Sequence, residues 1–216
     1  MHFKNRKEAG KLLAEKLLDF KEDRPVIYAL PRGGVPLGYE IAKALNASLD
    51  LVIARKIGDP LNPEYAICAI SEDGEMICNE EELEKVDPAW FEMSVDSQKE
   101  EAKRRRKVYL ARKRHISAEG KTAIIVDDGV ATGLTVRAAL RSLRRERPKR
   151  IVVAIPVIPH TTLVELMHEA DEVVALLDSR KYLGAVGAYY ESFPQVSDKR
   201  VLALLEKSRE GSELKV

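Results

Sequence analysis

Two carboxylates, two threonines and two glycines crowd the nine residues Asp127-Asp128-Gly129-Val130-Ala131-Thr132-Gly133-Leu134-Thr135, directly after the apolar Ile124-Ile125-Val126. Ionised carboxylates accept hydrogen bonds from a vicinal diol. A loop of small and hydroxylic residues opening a helix offers backbone N–H groups, two hydroxyls and the positive end of a helix dipole to a phosphate. Acids for hydroxyls beside a nest for phosphate describe a holder for ribose 5-phosphate. The same residue types also make ordinary turns and helix caps, with Asp128 turning the chain and Thr132 capping. The spacing is neither that of a Walker phosphate loop, which needs GxxxxGK[ST], nor that of a GxGxxG dinucleotide fingerprint or a GxSxG nucleophile elbow.

Two further stretches carry charge suited to phosphate. Leu30-Pro31-Arg32-Gly33-Gly34 follows the apolar run Val26–Leu30. Gly33 and Gly34 permit close backbone approach and Arg32 adds a planar donor, although a glycine-rich turn with a surface arginine reads the same way. Arg55-Lys56 closes the run Leu49–Arg55, where two cations could neutralise a departing anion or be a solvated pair at a strand end.

These stretches need elements to hold them. Apolar runs at 26–30, 49–55, 122–127, 150–157 and 172–177 read as strands buried on both faces. Helical spacing recurs at about 5–19, 35–46, 94–115, 134–147 and 161–169. Alternation of this kind predicts an α/β fold with a doubly wound, mainly parallel central sheet flanked by helices. Ligands of such sheets sit at the carboxyl ends of the strands, where all three stretches fall. Between 56 and 93 the rhythm breaks. Tyr65–Ile70 and Met76–Asn79 flank Glu72-Asp73-Gly74-Glu75, whose Asp-Gly centre predicts a hairpin. One domain over 1–216 is expected, with an inserted hairpin and helix at about 57–118 and hood elements at about 178–216.

Composition narrows the partners. Lys and Arg number 36 against 35 Asp and Glu, a formal net charge of +1, which gives no global field for nucleic acid. The opening MHFKNRKEAG lacks a signal peptide's apolar core, and no apolar run approaches the roughly 18 residues of a membrane span, so a soluble cytoplasmic protein without a membrane partner is expected. Cys68 and Cys78 lack CxxC spacing and read as reduced thiols, possible cross-strand neighbours. In the basic stretch Lys99 to Arg114, Arg104, Arg105 and Arg106 point to different sides of a helix, which favours a solvated helix with one arginine turned into the site over an RNA surface. Arg137, Arg141, Arg144 and Arg145 include one-face spacing, suited to a homo-oligomer contact or a modest polyanion patch.

The stretch Ile124 to Thr135 resembles the binding signature of the type I phosphoribosyltransferases, an apolar strand, two acids and an ATG-x-T-like loop. The segments PRGGVP, RKIG, DDGVATG and AVGAYYESF resemble most closely an uncharacterised, predicted subgroup of that family. The resemblance implies that Asp127 and Asp128 contact the ribose hydroxyls of phosphoribosyl pyrophosphate and that Ala131, Thr132, Gly133, Leu134 and Thr135 hold its 5-phosphate. It implies that Arg32, Gly33, Gly34, Arg55 and Lys56 hold pyrophosphate, with Pro31–Arg32 the candidate for a non-proline cis peptide. Asp127, Asp128, Arg32, Arg55 and Lys56 are then the residues expected to carry catalysis. Mg²⁺ is implied as the cofactor, near Asp127 and Asp128 through substrate or water, with no direct side-chain ligands. A hood bearing Tyr182, Tyr189, Tyr190 and Phe193 would offer aromatic faces to an unidentified nitrogen acceptor, although packing explains any one of them equally. Hypoxanthine-type members carry an acid where this chain has Ala131, so that acceptor class loses weight. The alternative is a non-catalytic protein that senses phosphoribosyl pyrophosphate or nucleotides, possibly binding RNA, and beyond it a structural oligomer with a vestigial site.

Overall fold

The computed structural model describes residues 2–63, 65–110 and 115–213. Five all-parallel strands form the central sheet in the order β2-β1-β6-β7-β8, with β1 at Val26–Ala29, β2 at Ser48–Leu51, β6 at Thr122–Val126, β7 at Arg150–Pro159 and β8 at Glu172–Ser179. Alternate residues of each inner strand serve opposite cores. Ile27, Ala29, Ile124 and Val126 face one side, where they meet α1 (Arg6–Lys16), α2 (Gly34–Leu45) and α7 (Asp198–Glu213). Val26, Tyr28, Ala123 and Ile125 face the other, against α5 (Leu134–Arg144). Burial on both faces is why these runs carry no polar alternation, each large aliphatic contributing about 1.5–3 kcal/mol when removed from water.

The chain order creates a switch point. From β1 the chain moves outward to β2, whereas from β6 it moves the opposite way to β7. The loops leaving β1 and β6 therefore diverge and leave a crevice between them, the place where open α/β sheets bind ligands. Pairing of Ala29 with Val126 fixes the two loop origins side by side.

One expected strand divides. The run 49–55 ends its pairing with β1 at Leu51, and β3 (Ala54–Gly58) joins a separate antiparallel sheet with β4 (Ala66–Ser71) and β5 (Met76–Cys78). The change of partner falls at Val52 and Ile53, where the Val52 N–H donates to Ala29 O and Ile53 O accepts from the Glu72 N–H. The expected hairpin is present, with Asp73-Gly74 at its turn and Gly74 at φ 94°. Its register sets Cys68 opposite Cys78 with Cα atoms 4.0 Å apart, and the two are joined in a disulfide, which corrects the reading of reduced thiols.

The basic helix starts earlier than its spacing predicts. Following the short α3 (Glu80–Leu83), α4 runs Pro88–Leu110 because Asp87 caps it, accepting from the Trp90 N–H at 2.8 Å, with proline at the first helical position. Residues 111–114 of the predicted 94–115 lie outside the described residues, as do 214–216 of the C-terminal region. α6 (His160–Glu169) connects β7 to β8. Among the described residues no helix is long and apolar enough to cross a membrane.

Candidate functional site

Asp127 and Asp128 leave the end of β6 and meet the loop that leaves β1. Contact is close because Gly33 has no side chain: a Cβ there would lie 2.1 Å from Asp128 Oδ2. At Gly34 a Cβ would lie 2.4 Å from Val126 O, so both glycines are required by approach to β6. The peptide Pro31–Arg32 is cis, as the resemblance implies. These contacts bring Gly33 and Gly34 against the end of β6 and its acid pair.

The carboxylates sit in an environment that resists charge. Burial, then the neighbouring Asp128 charge, raises the Asp127 pKa well above the ordinary carboxylate range. Burial also raises Asp128, opposed by Arg6, whose Nε donates to Asp128 Oδ2 at 2.7 Å. The same guanidinium donates to Pro194 O at 2.7 Å and lies 3.6 Å from the centroid of the Phe193 ring. Arg6 thus stands between the acid pair and the C-terminal aromatics and supplies the counter-charge. Its position in the first turn of α1 gives no sequence signal, and the reading from sequence missed it.

Past the acids, Gly133 at φ 78° turns the chain into α5, and a Cβ there would meet Thr162 Cγ2 at 2.6 Å. Thr162 Oγ1 donates to Ala131 O at 2.8 Å and so fixes the loop from outside. The first N–H groups of α5, including Leu134 and Thr135, have no intrahelical acceptor. Ala131, Thr132, Gly133 and Thr135 of this loop line a cavity of about 560 Å³.

Arg55 and Lys56 lie on β3, in the second sheet. Arg55 Nε donates to Gln98 Oε1 at 3.0 Å, and Lys56 borders the cavity. Burial first, then the Arg105 charge, lowers the Arg55 pKa to about 10, which leaves it cationic near neutrality. Arg105 is the arginine of the basic helix that turns inward. It is 7% exposed and donates from Nη1 to Pro31 O at 3.0 Å and from Nε to Glu101 Oε1 at 2.8 Å. Asp198, at the start of α7, accepts from the Tyr109 hydroxyl at 2.6 Å and contacts Arg32 at 3.5 Å and Arg104 at 3.3 Å. The loop that leaves β1 is thereby held by two helices far apart in sequence, and Arg105, Tyr109 and Asp198 join the set of residues that support it.

Arg106 of α4 and the arginines on and just after α5 have acidic partners. Arg106 pairs with Glu72, Arg137 with Glu169, Arg144 with Asp171 and Arg145 with Glu75. These pairs give the Arg137–Arg145 series partners within the chain.

The C-terminal aromatics divide. Tyr182 and Phe193 line the cavity with Tyr65. Tyr189 and Tyr190 do not line it: they are 3% and 7% exposed and pack beside the N-terminal segment, where the Phe3 N–H donates to Tyr189 O. The Tyr190 hydroxyl donates to Asp128 O at 2.6 Å. Stacking on an acceptor was expected of all four; burial withdraws Tyr189 and Tyr190 from the cavity, whereas Tyr182 and Phe193 border it. α7 is likewise part of the body, packed on α2 and β2, so the segment over the cavity is 180–197.

The chain that builds this crevice, with its acid pair, its small hydroxylic loop opening α5 and its glycine-rich loop bearing Arg32, matches a family. A model of the phosphoribosyl transferase domain covers residues 3–180, and the chain belongs to that family. Two proteins of Mycobacterium tuberculosis, from strains H37Rv and CDC 1551, both named "putative phosphoribosyl transferase", are 37% identical over 208 residues, 95% of this chain and 47% of each relative. The chain spans about half the length of these curated relatives. The crystal structure of TT1426 from Thermus thermophilus is 39% identical, with a TM-score of 0.78, and the match covers 96% of this chain and 99% of that one. The AQ2163 protein of Aquifex aeolicus, 14% identical with a TM-score of 0.50 over 79% of this chain and 73% of its own, shares the fold.

Proposed function

We propose that this chain is a phosphoribosyltransferase that transfers the 5-phosphoribosyl group of phosphoribosyl pyrophosphate to a nitrogen of a planar acceptor. The observation that carries the reading is the contact of Gly33 with Asp128, which brings the diol-binding acids and the pyrophosphate loop within reach of one ribose. In this reading Asp127 and Asp128 accept from the ribose 2- and 3-hydroxyls. Loop 131–135 holds the 5-phosphate, while Arg32, Arg55 and Lys56 take the charge of pyrophosphate. The acceptor nitrogen forms a bond to the anomeric carbon as the bond to pyrophosphate breaks. The electron pair leaves with pyrophosphate, and the acceptor gives up its proton. Cations placed where that negative charge develops lower the barrier.

Mg²⁺ fits this donor set. Among the described residues no group of three or more His, Cys, Asp and Glu forms a cage, and magnesium commonly binds through one or two carboxylates, substrate phosphates and water. When bound it would neutralise pyrophosphate oxygens. Asp127 and Asp128 would hold it through substrate or water. Tyr182 and Phe193, with Tyr65, would offer faces to the acceptor from across the cavity.

A panel of nucleobases and amines supplied with phosphoribosyl pyrophosphate and Mg²⁺ tests the reading by pyrophosphate release. Release that depends on one acceptor, and that Asp127→Asn with Asp128→Asn abolishes, is expected. Saturable donor binding without release from any acceptor would make the chain a sensor, and absence of donor binding would overturn the site itself.

A further inference from the structure

The layer formed by α1, α2 and α7 carries a second concave surface, a groove of about 240 Å³ into which Lys7, Lys11, Lys43, Arg200 and Lys207 project. Helical spacing places them. Lys7 and Lys11 are four apart on α1, and Arg200 and Lys207 lie seven apart on α7, so each helix presents one stripe to the groove. Gly10 sets its width, since a Cβ there would lie 2.8 Å from Leu37 Cα. Backbone contact of α1 with α2 therefore draws Lys7 and Lys11 toward Tyr39 and Lys43.

Charge in the groove is uncompensated. Glu40 is the one carboxylate that lines it among the described residues, and none of the five cations is ion-paired there. Elsewhere this chain pairs its basic residues readily, as Arg104 with Glu101, Arg106 with Glu72 and Arg150 with Asp23 show. Like charges gathered on adjacent elements repel one another unless an anion lies among them.

We propose that this groove is a binding site for a small free polyanion with two or more contiguous phosphates. Lysines act as point charges for phosphate oxygens, and Pro36, Tyr39 and Leu204 give the groove apolar surface suited to a compact ligand. A concave site among three helices fits such a molecule better than a nucleic-acid backbone, for which the net charge of +1 supplies no steering field. The groove is separate from Arg32, Arg55 and Lys56, yet its helices lead into the candidate donor site. α2 begins at Gly34, and α7 begins at Asp198, which holds Arg32. The inference does not depend on phosphoribosyl transfer.

Inorganic tripolyphosphate is the probe, titrated by calorimetry into the full chain carrying Arg55→Gln, which weakens any binding at the pyrophosphate loop. Saturable binding is expected in about 0.15 M salt. Adding Lys11→Glu and Lys43→Glu should weaken it at least about tenfold, since two favourable charge interactions become repulsive. Melting curves check both chains, and if the reversals impair folding the pair Lys11→Gln and Lys43→Gln decides by the same loss of affinity. Equal affinity with and without the lysine changes would overturn the site. So would tighter binding of a short single-stranded RNA that the same changes abolish.

Discussion

The two ends of the candidate site are built differently. At the proposed donor end, Gly33, Gly34, Asp127 and Asp128 are placed by adjacent parallel strands, and the contact that unites them is backbone against carboxylate. At the proposed acceptor end, Tyr182 and Phe193 belong to a segment that pairs with the N-terminal residues through bonds such as Glu191 N–H to Phe3 O, with Arg6 stacked on Phe193. Strand geometry fixes the first end, and side-chain contacts from distant parts of the chain fix the second. Substitutions at the donor end should therefore strike binding hardest, and those at the acceptor end should act selectively and mildly.

The acid pair gives the largest expected effect. Hydrogen bonds to charged groups contribute about 1.5–3 kcal/mol, so losing one ionised acceptor should weaken phosphoribosyl pyrophosphate binding roughly ten- to hundredfold, and Asp127→Asn with Asp128→Asn should abolish turnover. Asp127→Asn alone should also raise the melting temperature of the ligand-free chain at neutral pH. The sign follows from proton linkage. With the folded pKa raised above the unfolded value of about 3.9, the native state binds more protons through that interval, so the carboxyl's contribution to stability is present at low pH and is lost as pH rises toward the folded pKa. Asparagine stays neutral while its Oδ1 can still accept from the Asp128 N–H, as Asp127 Oδ1 does at 2.8 Å. A chain that melts lower and binds donor like the parent would place Asp127 in the scaffold.

Gly33→Ala comes next. A methyl group 2.1 Å from Asp128 Oδ2 forces the carboxylate or the loop to move, and overpacking of this kind typically costs about 1–3 kcal/mol. Donor affinity should fall more than tenfold with a lower melting temperature. If the melting temperature falls and calorimetry finds donor affinity intact, the close approach serves folding alone.

Much of the donor end is legible in sequence because it rests on local rules. Apolar runs become doubly buried strands, glycine marks close approach, and small residues with hydroxyls open a helix. The run Leu49–Arg55 shows where such rules stop, since hydrophobicity is unbroken where the chain changes sheets and only the competing partners Ala29 and Glu72 divide it. Tyr189 and Tyr190 show it again. Their composition suits a stacking wall, but their burial is decided by the N-terminal segment. Arg6 had no local signal, because its role depends on Asp128, 122 residues away.

Arg6 joins the two ends and should give an intermediate effect that sharpens the contrast. Arg6→Gln removes the counter-charge of Asp128 and the cation above Phe193, so donor affinity and acceptor KM should both change severalfold, with some loss of stability. Arg6→Lys restores a charge without the planar guanidinium, and it should recover donor affinity more fully than acceptor KM. Equal recovery of both would mean that Arg6 serves the acid pair alone.

The smallest effect is expected from one oxygen in the hood. Tyr182 lines the cavity, yet its hydroxyl is buried without a hydrogen-bond partner among the described residues, and burial raises its pKa to about 12. A buried hydroxyl with no partner carries a desolvation cost that folding does not recover, so Tyr182→Phe should leave the melting temperature unchanged or slightly higher. The ring remains for stacking, and donor affinity should hold. If the hydroxyl finds its partner on the acceptor, acceptor KM should rise about two- to tenfold, the range of one net hydrogen bond of about 0.5–1.5 kcal/mol. Steady-state kinetics with the acceptor found by the pyrophosphate assay reads this directly. An unchanged KM would confine Tyr182 to its ring face, whereas a loss of donor affinity as large as that of Gly33→Ala would erase the proposed division between the two ends.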